Sequence, residues 1–314
     1  MVFVLFHDLF ALRGHLSYST NILAGASYEH DGSRVQLHAD AHNGTTLFNG
    51  GDDGWGRVTW GAAVHTNNSI TFVLFDRMWN GFPGIFAACL THTVTPHEWR
   101  VAFDVTPLLK TAPLDLSQPV FFNLDGFRSG GTGTVLDHTL HLPAAGLRFE
   151  SDELGITTGN ILANRKGREF DFWSSSERTV GDALRQKPEL PRHCPSQGGY
   201  DCGYDETFLL SHEDTGRKDE RPAAVLSSPH SGVKMSLFTD RDALHVHTWN
   251  ERDGALALKR TQGQGPVPQH GAISLEMRDW PDAVNHPKWT NRRTMWGMDG
   301  LYTSFATYRF SLEE

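Results

Sequence analysis

The sequence predicts an all-β fold, a large sandwich of antiparallel sheets. Segments that alternate polar and apolar residues, or that are rich in β-branched and aromatic residues, recur from one end of the chain to the other. Helical periodicity is scarce, and clusters of Asn, Gly, Asp and Pro separate the segments, as turns require. Strands are predicted, in chain order, over residues 34–39, 69–75, 84–94, 98–105, 232–239, 243–249, 272–277 and 304–312. The first alternates strictly (Arg34, Val35, Gln36, Leu37, His38, Ala39), and the second is a run of β-formers (Ile70, Thr71, Phe72, Val73, Leu74, Phe75). No Ser/Gly-rich linker or charge block divides the chain, so residues 1–314 read as one domain. The longest irregular segment, 187–204, is a loop of the kind that builds sites on a rigid β scaffold. A solvated surface loop is the other reading of it.

Composition narrows the function classes. With 9 Trp, 6 Tyr and 19 Phe the chain has the aromatics a core needs, so it is not disordered. Lys and Arg total 28 against 37 Asp and Glu, a net charge of −9, which argues against nucleic acid as the partner. No apolar run reaches the roughly 18 residues of a membrane span. The apolar start is interrupted by His7 and Asp8 and lacks a basic leader, so a cytoplasmic protein is expected. Oligomeric state is not legible. Of the three cysteines, Cys194 and Cys202 are close enough for a local bridge, but no CxxC pair exists to hold zinc.

A cleft between such sheets suits a sugar-like small molecule. Aromatic rings cover apolar faces, and carboxylates and amides bind hydroxyls. Most of Trp55, Trp60, Trp79, Trp173, Trp249, Trp280, Trp289 and Trp296 are expected in the core, with one or two on a ligand. The 17 histidines are the unusual count. His245 and His247 alternate with Leu244 and Val246, so both project to one face with Trp249. A histidine on such a face can donate or accept a proton near neutrality. Packed, hydrogen-bonded histidines are the plainer reading. An H-x-H pair can also hold a metal, but the sequence fixes no third ligand, and neither metal nor cofactor is expected.

Several motifs, in order from about residue 20 to the C-terminus, resemble the aldose 1-epimerase (galactose mutarotase) family. They are Gly50-Gly51-Asp52-Asp53-Gly54-Trp55, Gly81-Phe82-Pro83-Gly84, Phe121-Phe122-Asn123-Leu124, Asp137 to Pro143, Gly203-Tyr204-Asp205, Leu275-Glu276 and Pro281 to Pro287. Leu124 to Phe127 and Gly159 to Asn164 look nearest to fungal members. The resemblance implies a galactose mutarotase-like β-supersandwich, with N-terminal strands shortened, and a sugar-sized cleft without a cofactor. The family opens and recloses a cyclic hemiacetal, with a base on the anomeric hydroxyl and an acid at the ring oxygen.

The resemblance implies that Glu276 is the base and that Asp205 grips hydroxyls. A second Gly-Tyr-Asp at 199–201 competes, but Asp205 is followed by strand-like Phe208-Leu209-Leu210. The other catalytic positions differ. The family's two histidines align with Pro119 and Asn49, its Arg with Ile22, and its Gln with Arg278. Proline donates no proton, and Asn is no acid near neutrality. Arg278, two residues along a strand from Glu276, shares its face and should lower its pKa. The expected site is therefore Glu276 and His247 for chemistry, with Asp205, Asn49, Arg278, Phe121, Trp249 and His92 for binding. His138, His141 and His286 are expected to hold loops and turns. The function expected is a diverged isomerase or cyclase acting on a small molecule, such as a fungal secondary metabolite. A residual sugar mutarotase and a non-catalytic carbohydrate-binding protein are the alternatives.

Overall fold

The computed structural model describes residues 3–5, 22–52, 54–78, 81–127, 133–185, 203–211, 220–250, 254, 256–289 and 292–313. The possible Cys194–Cys202 bridge, Trp79, the second Gly-Tyr-Asp and most of the 187–204 loop lie outside these residues.

Two antiparallel sheets dominate. The seven-stranded sheet runs, in spatial order, Phe3–Leu5, Phe121–Asn123, Ile273–Arg278, Ala243–Thr248, Asp205–Leu209, Leu147–Ser151, Thr157–Ala163. The eight-stranded sheet runs Thr139–His141, Ala224–Ser227, Val233–Thr239, Tyr302–Leu312, Glu98–Leu109, Ile85–Thr95, Ser69–Arg77, Gly61–His65. The long strands were legible because they are rich in β-formers, and burial alternates along them: Ser69–Arg77 buries Phe72, Leu74 and Asp76 and exposes Val73, Phe75 and Arg77. Short strands such as Thr139–His141 and Asp205–Leu209 carry polar residues and too few positions to show a period. The only α-helix among the described residues is Val180–Arg185. Among the described residues no helix is long and apolar enough to cross a membrane.

The main core lies where the sheets face each other. Phe122, Leu275, Val246 and Phe208 come from the first sheet, and Phe86, Leu90, Val101, Phe103, Leu237 and Tyr308 from the second; all are buried in one cluster. Phe122 meets Tyr308 at 5.2 Å between ring centroids, and Tyr308 stacks on Trp99 at 5.1 Å, so the rings cross from sheet to sheet. Trp55 is fully buried, and its indole N–H donates to buried Asp76 at 2.6 Å.

The Pro281 to Pro287 block is a structural clamp. Asn285 Nδ2 donates to the Ser27 carbonyl at 3.0 Å and to Asp282 Oδ1 at 2.8 Å. His286 packs on Trp289 and on Gly159, where a β-carbon would come within 2.7 Å of its Nδ1. Gly159 is thus required by the close approach of His286 as well as by its φ of +85°.

Burial pushes the Asp282 carboxyl up to about 7, against bonds from Asn285 and the Ala24 N–H that favour the anion. The folded pKa lies above the unfolded one, so this contribution is full below about pH 4 and is lost as pH rises through 7. Asp282→Asn keeps the turn, since Asn tolerates the left-handed φ of +52°. In urea unfolding its stability relative to wild type should rise between pH 5 and pH 8 by on the order of 2–3 kcal/mol. A pH-independent difference would refute the buried neutral carboxyl.

Candidate active site

The outward face of the seven-stranded sheet carries the polar residues. Strand register sets them in three cross-strand rungs. The first is Phe121, Ser274, His247 and Asp205; the second is Glu276, His245 and Thr207; the third is Arg278, Ala243 and Leu209. Residues directly opposite each other on neighbouring strands share a face, so residues distant in sequence become neighbours through pairing alone. The alternate residues Ile273, Leu275, Met277, Leu244, Val246 and Phe208 point into the main core and fix the register by their burial.

On the second rung His245 is the hub. Its Nε2 lies 2.9 Å from Asp205 Oδ1 and its Nδ1 2.9 Å from Thr207 Oγ1. Glu276 is opposite on the other side. The Arg278 guanidinium donates to Glu276 Oε2 at 2.8 Å, and the Ser117 hydroxyl donates to Oε1. Glu276 and Arg278 are both buried. Burial alone would raise the Glu276 carboxyl; Arg278, then His245 and the two hydrogen bonds, outweigh it and hold it below the ordinary range. Loss of water also acts to raise Asp205, but the His245 hydrogen bond and the charges of His247, His245 and Arg278 hold it well below the carboxylate range. Burial and Arg278 push His245 down, against the opposing pull of Asp205 and Glu276.

Aromatic groups stand at both ends of the rungs. Phe121 meets His247 at 5.5 Å and Trp249 at 5.3 Å, both edge-to-face, beside Val267 and Ala272. At the Arg278 end Phe149, Trp280 and Trp289 pack together with Leu209 and Ala243. A polar strip between two apolar, ring-lined walls can hold a flat or cyclic molecule and move a proton at its polar edge.

One expected site residue lies on the other sheet. His92 is on the eight-stranded sheet, paired with Ile70 and Val101, not at the cleft as its position after the Gly-Phe-Pro-Gly turn suggested. Its ring stacks on Trp99 at 5.8 Å and accepts the indole N–H at 3.3 Å, and burial pulls it down to about 4. It is a neutral packing group. Asn49 occupies the turn after Leu47–Phe48 at φ +48°. Ile22 pairs with Phe48 in a two-stranded ribbon. His138 accepts the Leu124 N–H at 3.0 Å and so holds a turn. Sequence reasoning overlooked Thr207 and Ser274, each two residues from Asp205 or Glu276 on the same face; period-two counting could have found both. Ser117 had no such signal.

The chain belongs to the aldose 1-epimerase family, whose model matches residues 16–295. Epimerase FSL3 of Gibberella zeae is 52% identical over 96% of this chain and 73% of its own length. The galactose mutarotase of Bos taurus is 29% identical, over 85% of this chain and 70% of its own. A probable aldose 1-epimerase of Arthroderma benhamiae is 26% identical, and the match spans 66% of that protein. Among solved structures, the GalM/aldose epimerase homologue of C. elegans superposes with a TM-score of 0.79 at 18% identity, covering 100% of this chain and 88% of the other. Galactose 1-epimerase of Lactobacillus acidophilus gives 0.73 at 17%, covering 95% and 79%. The galactose mutarotase-like fold is therefore established.

Two predictions follow from the charges and the close packing at the strand ends. Arg278→Met leaves Glu276 buried without its cation and should cost about 3–5 kcal/mol in urea unfolding. The double variant Arg278→Met/Glu276→Leu should recover most of that; a double variant no more stable than the single would contradict it. Gly203→Ala places a β-carbon against Thr248 Oγ1 and Asn250 Oδ1. Thr248 Oγ1 accepts the Tyr204 N–H at 2.8 Å, so the clash reaches the strand that carries Asp205. A loss of about 1–3 kcal/mol in the same assay is expected.

Proposed function

We propose that this protein is an isomerase whose family cleft has been refitted for a cyclic small molecule with fewer hydroxyls than a hexose, such as a fungal secondary metabolite. One observation carries the reading. Glu276 is retained but clamped by Arg278 and Ser117, while an imidazole pair stands beside it and the aligned family histidine positions hold Pro119 and Asn49. Glu276 is the base. Its lowered basicity suits a proton more acidic than that of a plain hemiacetal hydroxyl, for instance one on carbon flanked by two carbonyls. His247 returns a proton to the substrate oxygen. Asp205 and Arg278 hold polar edges, and Phe121 and Trp249 cover the ring. Such a step opens and recloses a ring, cyclises a chain or inverts a centre without change of mass.

Sugar mutarotation is the second reading, favoured by the retained Glu276 and Asp205 and by relatives that bear the name galactose mutarotase. Polarimetry of freshly dissolved α-galactose and α-glucose decides between them. With the refitted cleft, wild type gives no acceleration, and calorimetry detects no sugar binding. Acceleration by wild type that Glu276→Gln abolishes establishes the sugar reading. Sugar binding without acceleration indicates a carbohydrate-binding protein. The refitted isomerase further requires that wild type convert a component of a fungal culture extract into a product of equal mass and altered retention. Glu276→Gln and His247→Gln should each slow that conversion by about 10²–10⁴-fold.

A further inference from the structure

We propose that Asp205, His245 and His247 form a binding site for a divalent first-row transition ion of the Zn²⁺ type. The inference does not rest on the reaction above. The H-x-H pair comes from one strand, and the third ligand comes from the neighbouring strand some forty residues upstream, where no sequence spacing announces it. One oxygen and two imidazole nitrogens lie within 4.8 Å of one another. The closest pair, His245 Nε2 and Asp205 Oδ1, are 2.9 Å apart. That is near the roughly 3.0–3.4 Å separating neighbouring ligand atoms around an ion bound at about 2.1 Å. A modest side-chain rotation at His247 closes the third side.

The surroundings are those of a metal site. Thr207 Oγ1 stands 2.9 Å from His245 Nδ1 and can accept its N–H, the tautomer in which Nε2 exchanges its hydrogen bond to Asp205 for a bond to the ion. Glu276 is neutralised by Arg278, so Asp205 brings a carboxylate charge not already paired to an arginine. The Asp205 side chain is 41% exposed, which opens a path for the ion and leaves coordination positions toward the cleft. Ser274, opposite His247, is buried, and its hydroxyl has no hydrogen-bond partner among the described residues; a water on the ion could meet it. A bound ion would supply, beside Glu276, the electrophile that the His247 proton otherwise provides.

The test uses full-length, untagged protein stripped with EDTA, dialysed against limiting Zn²⁺ and read by elemental mass spectrometry. Titration with Co²⁺ is followed by its visible ligand-field bands. About one ion per chain is expected, with bands typical of nitrogen and oxygen ligands. His247→Phe and Asp205→Asn should each weaken binding by tenfold or more, and Thr207→Val by about 10–100-fold. Exposed His65→Ala should leave it unchanged. Thermal unfolding in EDTA checks that each variant folds; should one not fold, the wild-type stoichiometry and Co²⁺ spectrum decide. Substoichiometric uptake, a spectrum of hexaaqua-type Co²⁺, or equal affinity in a folded His247→Phe variant would overturn the proposal.

Discussion

The pairing of Arg278 with Glu276 is the interaction on which the cleft depends. Both groups are buried on the same face of one strand, two residues apart. Each charge alone would be expensive in that position, and the 2.8 Å contact makes the other tolerable. The pair also sets the chemistry of its neighbours. It keeps Glu276 ionised, takes that charge out of the balance, and leaves Asp205 as the carboxylate that works with the imidazoles. His245 feels both sides, pulled down by burial and Arg278 and up by Asp205 and Glu276.

The fold was largely legible because burial alternates along the long strands. Glu98–Leu109 shows it in the letters, while Ser69–Arg77 and Ile85–Thr95 announce themselves by their runs of β-formers and apolar residues. The site was legible in part. Glu276, Asp205 and the face shared by His245 and His247 follow from motif and period. The order of importance among them does not, because it depends on which strands are neighbours. That Thr207 faces His245, and that His245 faces Glu276, is a property of pairing between segments 30 to 40 residues apart. His92 shows the opposite failure. Its strand was identified, but the strand belongs to the other sheet, where Trp99 gives the ring an apolar berth.

The two aromatic groups stand at opposite ends of the polar strip. Phe121 and Trp249 shield the His247 end, while Phe149, Trp280 and Trp289 wall the Arg278 end. Arg292 lies over Trp280 at 4.3 Å and pairs with Asp242, which fixes that wall from outside. Rings held this way present faces of defined orientation, so shape can discriminate among substrates where few hydroxyls are available to bind.

The alternation on Ala243–Thr248 has a consequence for how this cleft can change over generations. Leu244 and Val246 serve the core, and His245 and His247 serve the cleft, so substitutions at the two sets are felt on opposite sides of the sheet. Chemistry can therefore drift by replacement with little disturbance of packing. A change of length cannot be absorbed in the same way. One residue inserted or deleted within the strand would exchange the histidines for leucine and valine at a stroke, and turn imidazoles into the core. Divergence at this site is confined to exchange of side chains on a strand of fixed length.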